Sequence, residues 1–296
     1  MATTADLFGR FDRRITATES EKDAALQRAI DCATALRNAY SPDEKVTSVV
    51  TLLGSAAKQT ACTPLADVDV LFHMPAGTYS RYDDYSGNGQ SALLQNVRDV
   101  LRRRYPGTDI RGDGPVVVVA FTAGANVEVV PGVLFDEGSD LLQAACKVPV
   151  TRDGGSWESS DYGAEYRALS AVDTPRQGQV KRLIRYMKAW RNAQNLTYKS
   201  LVIELMAVEF AKTWPADRSS YTYDDWLVRD FLKYAADNYF TTYLMPGTGK
   251  RIDTGYGWRD AATRSHQKAV LACTFGVQSP LYVSYWQEVL GRGFGS

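Results

Sequence analysis

The chain has 296 residues, of which 34 are Lys or Arg, 34 are Asp or Glu and 45% are hydrophobic, so its formal net charge is zero. That balance excludes a disordered tail, a coiled coil and a protein that coats nucleic acid by bulk electrostatics, because such coating must neutralise several phosphates at once. At roughly 150 residues per domain the length implies two domains or lobes with ample apolar material for a core.

Four cysteines, Cys32, Cys62, Cys146 and Cys273, lie far apart, and there are only two histidines, His73 and His266. Neither a structural zinc nor a disulfide framework is expected. No apolar run approaches the roughly 20 residues of a membrane-spanning helix, and MATTADLFGRFDRR lacks a basic segment followed by a long apolar one. The expected location is cytoplasmic.

Residues 18–40 place Ala25, Leu26, Ala29, Ile30, Ala33 and Leu36 at helical spacing, with Thr18 and Glu21 in capping-box register. Residues 46–55 are a β-branched run ending in Gly54-Ser55, and 67–74 alternate acidic with apolar residues as a strand entering a core would. After loop-like residues 80–91, a second helix is predicted over 92–105, with Leu93, Leu94, Val97, Val100 and Leu101 on one face. Residues 115–121 and 126–131 read as two more strands around Gly124. From about residue 140 the strand signal fades, and helical periodicity marks 175–194, 200–213, 224–239 and 258–274. The Gly-rich end GRGFGS is expected to be mobile.

Chemistry concentrates in GSAAKQTACTPLADVDVLF, residues 54–72. Asp67 and Asp69 stand two apart on one predicted strand, so their carboxylates share a face and can meet one metal site. Glu128 lies inside another apolar strand, where a charge is costly unless something pairs with it. A lone strand acid is most often solvent-facing; three on adjacent strands imply cations. Gly54 lets a backbone approach a phosphate closely, and Ser55 adds a hydroxyl. The segment 176–191 carries six basic residues and no acid. Lys181, Arg185 and Lys188 form one stripe, with Val180, Leu183, Ile184, Met187 and Trp190 on the other. A solvated charged face and a phosphate-binding face both fit that pattern. The run Arg102, Arg103 and Arg104 suits a solvated helix C-terminus. His73 and His266 are expected to be structural, and Tyr285 and Trp286 to anchor the last helix.

Gly-Ser, a spacer, Asp-x-Asp on a strand and a later carboxylate followed by Val-Val-Pro together resemble the nucleotidyltransferase superfamily of polymerase β and the oligoadenylate synthases. They most resemble its cGAS-like bacterial branch, the CD-NTases. RLIRYMKAWR (182–191) is similar to that family's basic spine helix, YKSLVIELM (198–206) to its Lys-Ser-x-x-x-Glu helix, and YWQEVLGRGF (285–294) to its usual ending; GSAAKQTA and VEVVPGVLF are most similar to clade C.

The resemblance implies an α+β fold: a polymerase-β-like nucleotidyltransferase core with a mixed β-sheet and helices over residues 1–165, and a helical, oligoadenylate-synthase-like lobe over 166–296, packed as one bilobed unit. It implies a Mg2+-dependent synthase (two ions, with Mn2+ able to substitute) making a cyclic oligonucleotide second messenger from NTPs such as ATP, with a lean to cyclic tri-AMP, in bacterial antiphage (CBASS) defence. Asp67, Asp69 and Glu128 would be the metal ligands and catalytic acids. Gly54, Ser55, Lys188, Ser200 and, more weakly, Arg185 would bind nucleotide. A HORMA-type activating protein, DNA as a further partner and a separate effector that reads the product are implied as well. Transfer of a single NMP to a protein, RNA or small molecule, and a catalytically silent nucleotide sensor, are the competing readings. Three departures from the family stand out: Glu128 where most relatives have Asp, Gln59 where clade C commonly has Gly, and MPGTGKRIDTGYGWRDAA (245–262) in place of an Asp-Pro-x-Asn-Pro-x-Asn segment.

Overall fold

The computed structural model describes residues 2–134 and 145–296. These form two compact units, Ala17–Tyr166 and Met1–Thr16 joined with Arg167–Ser296. Sequence expectation grouped the first helix with the sheet; the structure groups it with the C-terminal helices. α1 (Thr4–Ile15) buries Leu7, Phe8 and Phe11 among them.

The first unit starts with α2 (Glu19–Tyr40), whose N-terminus carries the predicted capping box of Thr18 and Glu21. Glu21 also accepts hydrogen bonds from the Thr63 hydroxyl at 2.8 Å and the Leu65 amide at 3.2 Å, tying the helix start to the chain ahead of the acidic strand. The buried face is Ala25, Ala29, Cys32, Ala33 and Leu36; Leu26, expected within it, is exposed. The predicted strand over 46–55 is shorter than its β-branched run suggests. After a 3-10 turn it becomes β1 (Val50–Leu52) and then the single-turn α3 (Gly54–Ala57).

β2 (Asp67–His73) follows, and then α4 (Gly77–Asp83), which takes up part of the expected loop. α5 (Gly89–Arg104) is capped by the Asn88 side chain and buries the five apolar residues predicted for its face. β3 (Asp109–Asp113), β4 (Val116–Ala120), β5 (Asn126–Leu134), β6 (Ala145–Val150) and β7 (Ser156–Asp161) complete the sheet. Sequence reading missed β3, β6 and β7: β3 and β7 carry mostly polar residues and Lys147 and Pro149 interrupt β6, so none shows a long apolar or alternating run.

The sheet order is β1-β2-β5-β4-β3, with β6 on the end of β5 and β7 on β6. Among the described residues only β2 and β5 run parallel, which makes the sheet mixed. Val68, Val70, Phe72, Val127 and Val129 point to one face, into the core shared with α2 and α5. The opposite face carries Asp67, Asp69 and Glu128, then the small apolar cluster of Leu53, Leu71, Val130, Cys146 and Val148.

α6 (Tyr162–Asp173) crosses the division between the units. Beyond it come α7 (Gln179–Ala193), α8 (Ser200–Ala211), α9 (Asp224–Asp237), the hairpin β8 (Thr242–Leu244) with β9 (Arg251–Asp253), α10 (Arg259–Phe275) and α11 (Pro280–Leu290). Trp190, Tyr186, Trp286 and Phe8 are fully buried at the centre of this unit. The Gly-rich end is pinned, contrary to expectation, because Phe294 is buried with its ring 5.0 Å from that of Phe8. Among the described residues no helix is long and apolar enough to cross a membrane.

Candidate active site

Parallel pairing of β2 with β5 sets Asp67 beside Asn126 and Asp69 beside Glu128. Because side chains alternate along a strand, the three acids share one face, and all three are half-buried. On its other side Glu128 pairs with the buried Val118 of β4.

Burial is the largest influence on the Glu128 carboxyl, followed by the charges of Asp69 and Asp67, a hydrogen bond with Asp69 and the charge of Asp113; together they push its pKa up to about 7. Asp113, at the end of β3, is a fourth acid that spacing alone did not reveal, since it reaches this field only through the β3–β4 pairing.

The Gly-Ser turn is laid directly on this acidic face. The Leu53 amide donates to the Asp69 carbonyl at 2.9 Å, and the chain then turns away through Gly54 at φ 57°. A Cβ on Gly54 would overlap the Asp69 carboxylate, so Gly is required here for both its left-handed backbone and its missing side chain. Ser55 follows, half-buried, and its carbonyl accepts from the Thr60 amide at 2.9 Å. Gln59 closes the turn at φ 58°, a left-handed backbone that Gly would adopt without strain.

Hard carboxylate oxygens set in register, with neighbours that raise one another's affinity for positive charge, fit a divalent cation. Among the described residues no three acidic, histidine or cysteine side chains close into a ready-made metal cage. Mg2+ does not need one, since it is typically held by one or two carboxylates together with substrate phosphates.

A family model described as SMODS, the Second Messenger Oligonucleotide or Dinucleotide Synthetase domain, matches residues 1–172, more than half of the chain. The chain belongs to this family of CD-NTases.

It is therefore a nucleotidyltransferase by descent. The fold agrees with solved CD-NTases. The structure of Escherichia coli MS115-1 CdnC with ATP is 20% identical, with 99% of each chain covered and a TM-score of 0.73. CdnC in complex with HORMA-deltaN is 19% identical over 99% of this chain and 98% of that one, with a TM-score of 0.69. Vibrio cholerae DncV cyclic AMP-GMP synthase with a linear intermediate is 12% identical over 97% and 95%, with a TM-score of 0.73. No curated protein sequence matches the chain.

The remaining expected site residues of this CD-NTase belong to its helical unit. The predicted positive stripe on α7 is a set of buried ion pairs instead. Arg185 donates through Nε and Nη2 to Asp12 at 2.8 and 2.9 Å, Arg182 reaches Asp224 at 3.2 Å, Lys188 lies 3.5 Å from Glu204 and Lys181 3.6 Å from Asp173. Apolar surroundings make an unmatched cation expensive, so packing gave each one a carboxylate. The Ser200 hydroxyl accepts from Arg191 at 2.9 Å at the start of α8. His73 meets the Thr51 hydroxyl at 2.9 Å and His266 the Arg229 carbonyl at 3.0 Å, both structural as expected.

Proposed function

We propose that this CD-NTase condenses NTPs into a cyclic oligonucleotide and releases pyrophosphate, with ATP as a substrate and a cyclic trinucleotide such as cyclic tri-AMP as the favoured product. The observation that carries this reading is the register of Asp67, Asp69 and Glu128 on one sheet face beneath the Gly54-Ser55 turn. Asp67 and Asp69 are the proposed ligands of two Mg2+ ions, with Glu128 completing the second. Bound there, such ions supply charge neutralisation to the triphosphate and acidify the attacking hydroxyl.

The tasks proposed for the protein's own residues are these. Gly54 exposes backbone N–H groups and Ser55 its hydroxyl to the β- and γ-phosphates. Glu128, beside that second ion, would help deprotonate the 2′- or 3′-hydroxyl acceptor. Lys188 and Ser200 are assigned to the nucleotide by family resemblance. Arg185, the weaker candidate, has two N–H groups committed to Asp12, so it receives no nucleotide role.

A HORMA-type protein is the proposed activator, supported by the likeness to CdnC, whose structure includes a HORMA-deltaN complex. DNA as a further partner, a separate effector and a role in antiphage signalling complete the reading on family grounds. The test is incubation of purified protein with each labelled NTP and their mixtures in Mg2+ or Mn2+, followed by phosphatase. Phosphatase-resistant label that disappears in Asp67→Asn/Asp69→Asn is the expected result. Label joined to a protein or RNA would indicate single NMP transfer. Tight ATP binding without pyrophosphate release, with every metal and partner tried, would indicate a sensor.

A further inference from the structure

Within the Gly54-Ser55 turn, backbone hydrogen bonds run from the Ala57, Lys58 and Thr60 amides to the Leu53, Gly54 and Ser55 carbonyls. α3 is four residues long and its N-cap, Leu53, provides no side-chain hydrogen bond. A single turn is far too short to be stable by itself. Behind it lies a cavity of about 320 Å³, with Gly54, Ala57 and Lys58 on one wall and Tyr162, Glu165 and Tyr166 among the residues of the other. The cavity is partly open, and across it this side of the turn lacks the close packing of a protein interior.

A buried ion pair joins these walls. Lys58 Nζ lies 2.7 Å from Glu165 Oε2, and the two side chains are 9% and 13% exposed. The Glu165 end is firmly placed. It sits in the first turn of α6, where an acid suits the helix dipole, and that turn is itself capped by the Asp161 carboxylate accepting from the Ala164 amide at 2.8 Å. Lys58 is the last residue of the turn, its amide bonded to the Gly54 carbonyl at 3.1 Å. At the other end of that bond, Gly54 touches Asp69 so closely that no methyl group fits.

We infer that the buried Lys58–Glu165 ion pair is a positioning element, which holds the Gly54-Ser55 turn against Asp69 from across the cavity. Lys58 and Glu165 touch no reacting atom and act through the turn; the inference rests on the assignment of that turn to nucleotide phosphates. Glu165 follows Lys58 by 107 residues, so sequence spacing gives no sign of the pair.

Hydrogen exchange of the amides of residues 55–60, measured on the whole protein together with Tm and with KM and kcat for ATP, tests it. Glu165→Gln and Lys58→Met are expected to speed exchange of those amides about tenfold or more, with the rest of the unit unchanged. KM is expected to rise about tenfold with a smaller change in kcat. Lys58→Arg, which keeps the pair, should stay near wild type in all three. Should either single variant fail to fold for want of a partner to its buried charge, Lys58→Met/Glu165→Gln carries no such charge and gives the same readout. Exchange at residues 55–60 within about twofold of wild type in the folded variants would overturn the inference. Faster exchange with unaltered KM would uphold the pair as the holder of the turn and count instead against the turn's phosphate role.

Discussion

On α7, Arg182, Arg185 and Lys188 are buried against Asp224, Asp12 and Glu204 of their own unit, whereas on β2 and β5 the buried charges face others of the same sign. In the amino-acid sequence both segments look alike: charged residues interrupting an apolar run. Folding resolves the first by opposite charges in contact and leaves the second with a carboxyl whose pKa stands near 7. A cost of burial that packing removes serves stability; one that packing retains points to a ligand that removes it. The ion pairs of helix α7 are thereby accounted for within its own unit, and the uncompensated charge of the acidic face is the ground for the proposed cation site.

Gly54→Ala sharpens this contrast most on the acidic side. The new methyl group would have to displace Asp69 or the turn, and a misplacement of about 1 Å near reacting groups costs on the order of 10²-fold in rate. A fall of that size in kcat/KM with a far smaller loss of Tm is the expected outcome. On the α7 side, Arg185→Met is expected to destabilise by about 3–5 kcal/mol in urea unfolding because Asp12 is left buried without its partner. Asp12→Leu combined with Arg185→Met should recover most of that loss, and KM for ATP should change little in either.

Glu128→Gln separates function from stability. In the folded chain Glu128 holds its proton to about pH 7, against an ordinary value of 4.5, so its ionisation disfavours the folded state between those values and the whole penalty applies above 7. With metals chelated, the variant should therefore melt higher than wild type at pH 8. The gap should close by pH 4, while turnover is lost. Gln59→Gly is the smallest effect: relief of a left-handed non-Gly backbone, partly offset by the greater freedom of the unfolded chain, leaves a gain of up to about 1 kcal/mol.

Local pattern made much of the acidic face legible. Asp67 and Asp69 announce themselves by period-two spacing, Glu128 by its apolar strand, and Thr18 with Glu21 by their capping register. What escaped was nonlocal or weakly patterned. Asp12 lies 173 residues from Arg185, so nothing in the α7 segment says that its cations are already matched. Polar β7 shows no strand alternation because it is only partly buried on both faces. Phe294, in a Gly-rich tail, gives no sign that it completes an aromatic cluster with Phe8, Phe11 and Trp286. Asp113 joins the acidic field through strand pairing alone.

The central claim is that the acidic face holds divalent cations together with a nucleotide. Its most direct test is a Mn2+ titration followed by electron paramagnetic resonance, with a non-hydrolysable ATP analogue present, on wild type and Asp69→Asn. Binding by the wild type that weakens about tenfold or more in a folded Asp69→Asn is the predicted result. Equal Mn2+ binding by the two proteins would contradict the account.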